Sequence, residues 1–164
     1  DIKKDNWDLL YARGMAYERS NQWKKAENDF LKVLDFVPNQ PEVLNYLGYS
    51  WIEKGLNIDK AKEFLIKANR LRPTDPYIVD SLGWAYYKLQ DYDNAINELE
   101  KAIELKPTDP IINDHLGDAY REKKRTLEAI YQWKKALNFN PDDKLKNKIE
   151  KKLKNFTDNL SINL

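Results

Sequence analysis

Asp80-Ser81 and Asp114-His115 stand 34 residues apart, and His115 is the single histidine of the chain. A serine, a histidine and two aspartates are the parts of a nucleophilic hydrolase, in which the imidazole takes the hydroxyl proton and a carboxylate orients the ring. Their surroundings do not prepare that chemistry. If the two dipeptides sit on neighbouring helices, the axes lie about 10 Å apart, so a Ser81–His115 contact is conceivable but not built. There is no nucleophile elbow and no glycine-rich oxyanion loop. A histidine at a groove edge that hydrogen-bonds its neighbours is the expected role. A metal held by His115 with Asp114 or Asp118 would lack the several ligands that a strong site needs. No phosphate-binding loop is present, and the absence of cysteine excludes thiol chemistry and disulfides. The expectation is a protein that is not an enzyme, with no catalytic residue, cofactor or metal.

A second grouping mixes carboxylates with large aromatics: Tyr49, Asp80, Trp84, Tyr87, Asp114 and Asp118. Aromatic side chains on a face that the core does not require are typical anchors for a partner. Whether these residues share a face depends on the elements that carry them.

Those elements follow from a ruler. Gly14, Gly48, Gly83 and Gly117 are spaced 34, 35 and 34; Ala26, Ala61, Ala95 and Ala129 are spaced 35, 34 and 34; Pro38, Pro73, Pro107 and Pro141 are spaced 35, 34 and 34. The one extra residue falls between Gly48 and Ala61, beside Gly55, which places it in a turn where length costs little. Pro38, Pro73, Pro107 and Pro141 lie beyond helix ends. Pro41, Pro76 and Pro110 follow three residues later at first helical positions, with Asp75 and Asp109 as N-caps before the last two. Helices are expected at roughly 7–20, 22–36, 41–54, 58–71, 76–89, 92–105, 110–123, 126–138 and 143–156. A glycine inside each first helix costs about 1 kcal/mol of helix propensity, tolerable where a second helix must approach closely.

The pattern Leu82-Gly83-x-x-Tyr86, Ala95, Leu99, Ala102, Pro107 resembles the tetratricopeptide repeat. So do its sister copies over residues 7–141, with Arg13, Trp51, Val33 and Asn113 as mild departures. The resemblance implies an all-α, right-handed superhelical solenoid of four helix pairs (about 7–40, 41–75, 76–109 and 110–142) plus a C-terminal capping helix at about 143–156. The domain would span 1–156 and be followed by a flexible tail, 157–164. The strings Leu44-Asn45-Tyr46-Leu47-Gly48, Asp80-Ser81-Leu82-Gly83-Trp84 and Asn113-Asp114-His115-Leu116-Gly117 are similar to C-terminal repeats of larger proteobacterial tetratricopeptide proteins. This implies a bacterial adaptor of the periplasm or outer membrane, with the cytoplasm as the alternative.

In such a solenoid the first helices line a concave face. Positions 2, 5, 9, 12 and 13 of the four first helices hold eight acidic and three basic residues, a charge of −5 on a chain of net +1. The expected partner-binding residues are Tyr11, Asn45, Tyr49, Tyr77, Asp80, Trp84, Tyr87, Asp114 and Asp118. The expected partner is a protein or peptide segment carrying Lys or Arg with apolar side chains. The alternative is that the charges are a solvated face and the aromatics pack between adjacent first helices. Receptors of this class that grip a terminal carboxylate use Lys, Asn and Arg at positions that are here largely acidic or aromatic.

Net charge near zero gives no global field for nucleic acid, and no apolar run is long enough to span a bilayer. The start at Asp1 suggests a fragment. In the last helix Leu145, Ile149, Leu153 and Phe156 form one stripe among six lysines, as a cap with a polar outer face requires. Leu160, Ile162 and Leu164 in the tail leave self-association as the second reading, with the tail or exposed aromatics pairing subunits of a homo-oligomer.

Overall fold

The computed structural model describes residues 7–162, with side chains as far as Phe156. Among the described residues there are nine helices and no strand. They are α1 Trp7–Arg19, α2 Trp23–Phe36, α3 Pro41–Lys54, α4 Ile58–Leu71, α5 Pro76–Lys88, α6 Tyr92–Leu105, α7 Pro110–Glu122, α8 Thr126–Asn138 and α9 Asp143–Ile162. The architecture is an all-α solenoid of helix pairs, α1 with α2, α3 with α4, α5 with α6 and α7 with α8. Its contacts divide it into two compact units, one ending at Pro73 and one beginning at Thr74.

The repeated glycine is a demand of packing. A Cβ on Gly14 would lie 2.6 Å from Phe30 Cε1, on Gly48 2.9 Å from Leu65 Cγ, on Gly83 2.7 Å from Leu99 Cγ, and on Gly117 2.5 Å from Trp133 Cδ1. In each pair a large side chain of the second helix fills the space that the first helix leaves open. The matching alanines, Ala26, Ala61, Ala95 and Ala129, are fully buried.

Helix starts obey their local chemistry. Asp75 accepts hydrogen bonds from the backbone N–H of Tyr77 and Ile78, and Asp109 from Ile111 and Ile112, with proline in the first turn of each helix. Such caps contribute about 1 kcal/mol each. Asn21, Gly55, Gln90 and Lys124 occupy equivalent left-handed positions between paired helices, with φ of 60°, 66°, 63° and 59°. The extra residue of the second repeat is absorbed here, where Asn57 takes a second left-handed conformation at φ 44°.

Two departures from the repeat pattern find their reason. Arg13, standing where a leucine is usual, makes a two-pronged bond to the buried Asp29 (Nε–Oδ2 2.7 Å, Nη2–Oδ1 2.8 Å). Asn113 donates from Nδ2 to the carbonyls of Pro107 and Asp109, at 3.1 and 2.7 Å, tying down the turn that precedes its own helix.

In the first unit the core is Leu10, Phe30, Val33, Leu44, Leu47, Trp51 and Leu65 with the small alanines between them. In the second, Leu99, Leu116, Tyr120, Trp133 and Ile149 bury together, and Leu145, Leu153 and Phe156 of α9 pack against them. Helix α9 starts on an Asp142 cap, whose Oδ1 accepts from Leu145 N–H at 2.7 Å. It runs on to Ile162, into the stretch expected as a flexible tail. Residues 157–162 hold no proline or glycine to break a helix. The side chains of Leu160 and Ile162, and Leu164 altogether, lie outside the described residues.

Candidate partner-binding surface

In the first unit Tyr11 is half-buried, its ring centroid 6.0 Å from Phe30 and 6.2 Å from Tyr46. Burial, and then Glu42, raise its phenol pKa. Asn45 and Tyr49 are also half-buried. The Asn45 Oδ1 is enclosed with no hydrogen-bond partner among the described residues.

The second unit gathers the other six. Asp80 on α5 is 7% exposed, and its Oδ1 lies 2.9 Å from His115 Nδ1 on α7. The imidazole stacks on Trp84 at 4.0 Å between centroids, and Trp84 stacks in turn on Tyr87 at 4.6 Å. Burial works against a charged His115, but the Asp80 carboxylate and its hydrogen bond outweigh it. Asp114 and Asp118 add to that, so the net pKa is raised. Tyr87 Oη accepts from Arg121 Nη2 at 3.1 Å. Burial first, then Asp118, push the Tyr87 phenol up to about 12. Ser81 donates to the Tyr77 carbonyl at 2.8 Å, while His115 faces Asp80. The serine and the histidine are therefore not brought together as a pair.

The expected open row of carboxylates is corrected here. Asp114 is 1% exposed and Asp118 4%. Lys148 and Lys152 of α9 meet Asp114 at 3.2 and 2.6 Å, and Lys152 also reaches Asp118 Oδ1 at 2.6 Å. Trp133 Nε1 donates to Asp118 at 3.2 Å. The reason is geometric. First helices of successive repeats lie alongside one another, so positions 5 and 9 of α5 meet α7, and those of α7 meet α9. Buried carboxylates must be paired, and here His115 and two lysines pair them. Trp84, at 9% exposure, packs between α5 and α7, as the alternative reading of the aromatics had it.

Leu105, Leu127 and Tyr131 of the second helices are open to solvent in this unit, and on its first helices so are Tyr77, 52% exposed, and Ile111, 51% exposed, at the same repeat position. The Lys106 ammonium lies over the Tyr77 ring, 4.4 Å from its centroid, and bonds its hydroxyl. Ile111 was not singled out from sequence, although its 34-residue offset from Tyr77 was available as a signal. Lys148 and Lys152 belong to the six lysines that the sequence places around the stripe of α9 as a polar outer face. Their i, i+4 spacing beside the Leu145–Ile149–Leu153 stripe was the clue that one side of the lysine set turns inward.

Stacked helix pairs with a glycine at each closest approach, and partner-sized side chains left outside the core, define a repeat-built binding scaffold. A family model described as a tetratricopeptide repeat matches residues 7–40, and one described as a TPR repeat matches residues 83–123. The chain thus carries tetratricopeptide repeats in both of its units. TPR repeat-containing protein PA4667 of Pseudomonas aeruginosa is 34% identical over 97 residues, which are 57% of this chain and 16% of that protein's length. A MamA structure (MSR-1, C2) superposes with a TM-score of 0.73 at 24% identity, covering 98% of this chain and 88% of that one. Another crystal structure of MamA gives 0.71 at 25% identity, over 84% and 74%. Fold and family together make the chain a protein-interaction scaffold in the general sense of tetratricopeptide repeats.

Proposed function

We propose that a partner protein docks on the first-helix side of the second unit, seating apolar side chains on Tyr77 and Ile111, with Tyr87 as a further contact. The observation that carries this is the pair of large apolar side chains at one repeat position, each about half exposed, though nothing in their own helices requires them outside. Exposed apolar surface beyond scattered single side chains marks interaction sites. In this reading Asp80, Trp84, Asp114 and Asp118 shape the face from beneath, and Tyr11, Asn45 and Tyr49 are the corresponding candidates of the first unit. The protein acts by binding and not by catalysis.

The test is capture of partner proteins on the immobilised chain, with a Tyr77→Ser/Ile111→Ser chain beside it. The variant should keep its thermal midpoint and lose the partner. Equal recovery by both chains sinks the proposal.

A further inference from the structure

The carboxylate of Asp114 is almost wholly buried, yet no side chain of the four repeats hydrogen-bonds it. Among the described residues, only Lys148 and Lys152 meet it, and both belong to α9. An unpaired buried carboxylate is strongly disfavoured, so this end of the array requires a cation brought by something beyond the repeats. What brings it is a helix with two lysines four residues apart, flanked by an apolar stripe. The hold of α9 rests on one apolar stripe and its lysines: among the described residues no second helix pairs with it, and of its described side chains only Ile149 is fully buried, whereas α7 buries nine residues in succession. The Lys148 side chain is still 51% exposed.

We propose that the α7 surface beneath α9 is a recognition site for an amphipathic helix bearing two lysines at i, i+4. In this arrangement α9 fills the site in the resting chain, and a helix of the same chemistry on a partner protein takes its place. The lysine-bearing apolar ligand that the acidic residues call for is thus already present as the chain's own last helix. This rests on the reading that first helices receive partner segments, but it involves neither Tyr77 nor Ile111, so the two can fail separately.

The probe is a labelled peptide spanning residues 142–162, added to the full chain and to a Lys148→Ala/Lys152→Ala chain. An intramolecular helix competes at a high effective concentration, so weakening it should open the site. The peptide is expected to bind the lysine variant at least tenfold more tightly than the unaltered chain. Adding Asp114→Asn, or replacing the same two lysines in the peptide, should reverse that gain. Affinities within twofold for the two chains, or indifference to Asp114→Asn, overturn the proposal. If the lysine variant loses its helical circular dichroism, Ile149→Ala/Leu153→Ala, which loosens α9 from its apolar side, replaces it in the same comparison. A Tyr77→Ser/Ile111→Ser change in the lysine variant should leave peptide binding unchanged, and losing it there would assign the peptide to the other surface and overturn the site. Sedimentation reports the last outcome: a dimer of the unaltered chain that the peptide dissolves would place another copy's α9 in the site, and overturn its filling from within.

Discussion

Tyr46 of α3 is held against the first repeat by rings, with Phe30 at 5.2 Å and Tyr11 at 6.2 Å, and by one hydrogen bond from its hydroxyl to Glu18. In the second unit the equivalent junction, α5 with α7, adds to its ring stacking of Trp84 on His115 the pairs Asp80–His115 and Tyr87–Arg121, and the next, α7 with α9, is made by Asp114 and the α9 lysines. The two units obey one spacing and differ in what joins their repeats. Aromatic packing is blind to pH and salt. Buried ionisable pairs are not, and they reject any neighbour that brings the wrong charge. A repeat array therefore has two separable layers. Its spacing residues set the stacking, and positions 5 and 9 of each first helix set which helix may stack next.

The largest expected effect tests whether the charged unit depends more on single residues. Trp133→Ala should cost about 3–5 kcal/mol for the lost packing. It also strips Asp118 of its indole donor, so the cost should exceed that of Phe30→Ala in the first unit. Urea unfolding with hydrogen exchange to locate the loss would measure both. Equal costs would mean that the buried carboxylate adds nothing to the comparison.

The glycines give the next effect. In Gly14→Ala the new methyl meets Cε1 of Phe30 at 2.6 Å, on a ring that no hydrogen bond holds. In Gly117→Ala it meets Cδ1 and Nε1 of Trp133, both at 2.5 Å, and that ring is fixed by its bond to Asp118. Overpacking costs about 1–3 kcal/mol, against a helix-propensity gain of about 1 kcal/mol for alanine. Gly117→Ala should therefore destabilise clearly, and Gly14→Ala should come closer to neutral. The reverse order would show that Trp133 has room the structure does not reveal.

The pH dependence separates the units next. The folded pKa of His115 is raised above its ordinary value. The stabilisation from its charged form is thus fully present below about 6.5 and is lost as pH rises through the raised value. The second unit should weaken over that window, and the first, whose described residues contain no histidine, should not. His115→Gln should abolish the slope. A single imidazole resonance followed by NMR would give the titration directly, and a midpoint at or below the ordinary value would contradict the Asp80 pairing.

The scaffold was legible in the sequence because each of its demands recurs: glycine against a large residue, alanine opposite, aspartate before proline. The roles of Asp80, Asp114 and Asp118 were not. Their charge is visible in a sequence, but whether it is open or neutralised depends on residues 34 to 38 positions away, on helices whose rotation the ruler does not set. Counting charge on a face assumed that the face meets water. Helix α9 runs past its expected end at Phe156 because residues 157–162 hold no proline or glycine to stop it, and Leu160 continues the helical spacing of Leu153 and Phe156.

The smallest effects decide whether charge alone, or buried charge, distinguishes the units. Each has an exposed tie: Arg72 to Glu42 at 2.9 Å in the first, and Lys123 to Asp93 at 2.8 Å in the second. Exposed pairs contribute about 0–1 kcal/mol and fade with salt. Arg72→Ala and Lys123→Ala should each shift stability by less than about 0.5 kcal/mol, and alike. Arg121→Ala, which releases the half-buried Tyr87 hydroxyl and removes a cation 3.9 Å from Asp118, should cost more than either. If all three were equal, the second unit's ionic junction would be no more than surface decoration, and the contrast with the aromatic junction of the first unit would rest on Asp80–His115 and the α9 lysines alone.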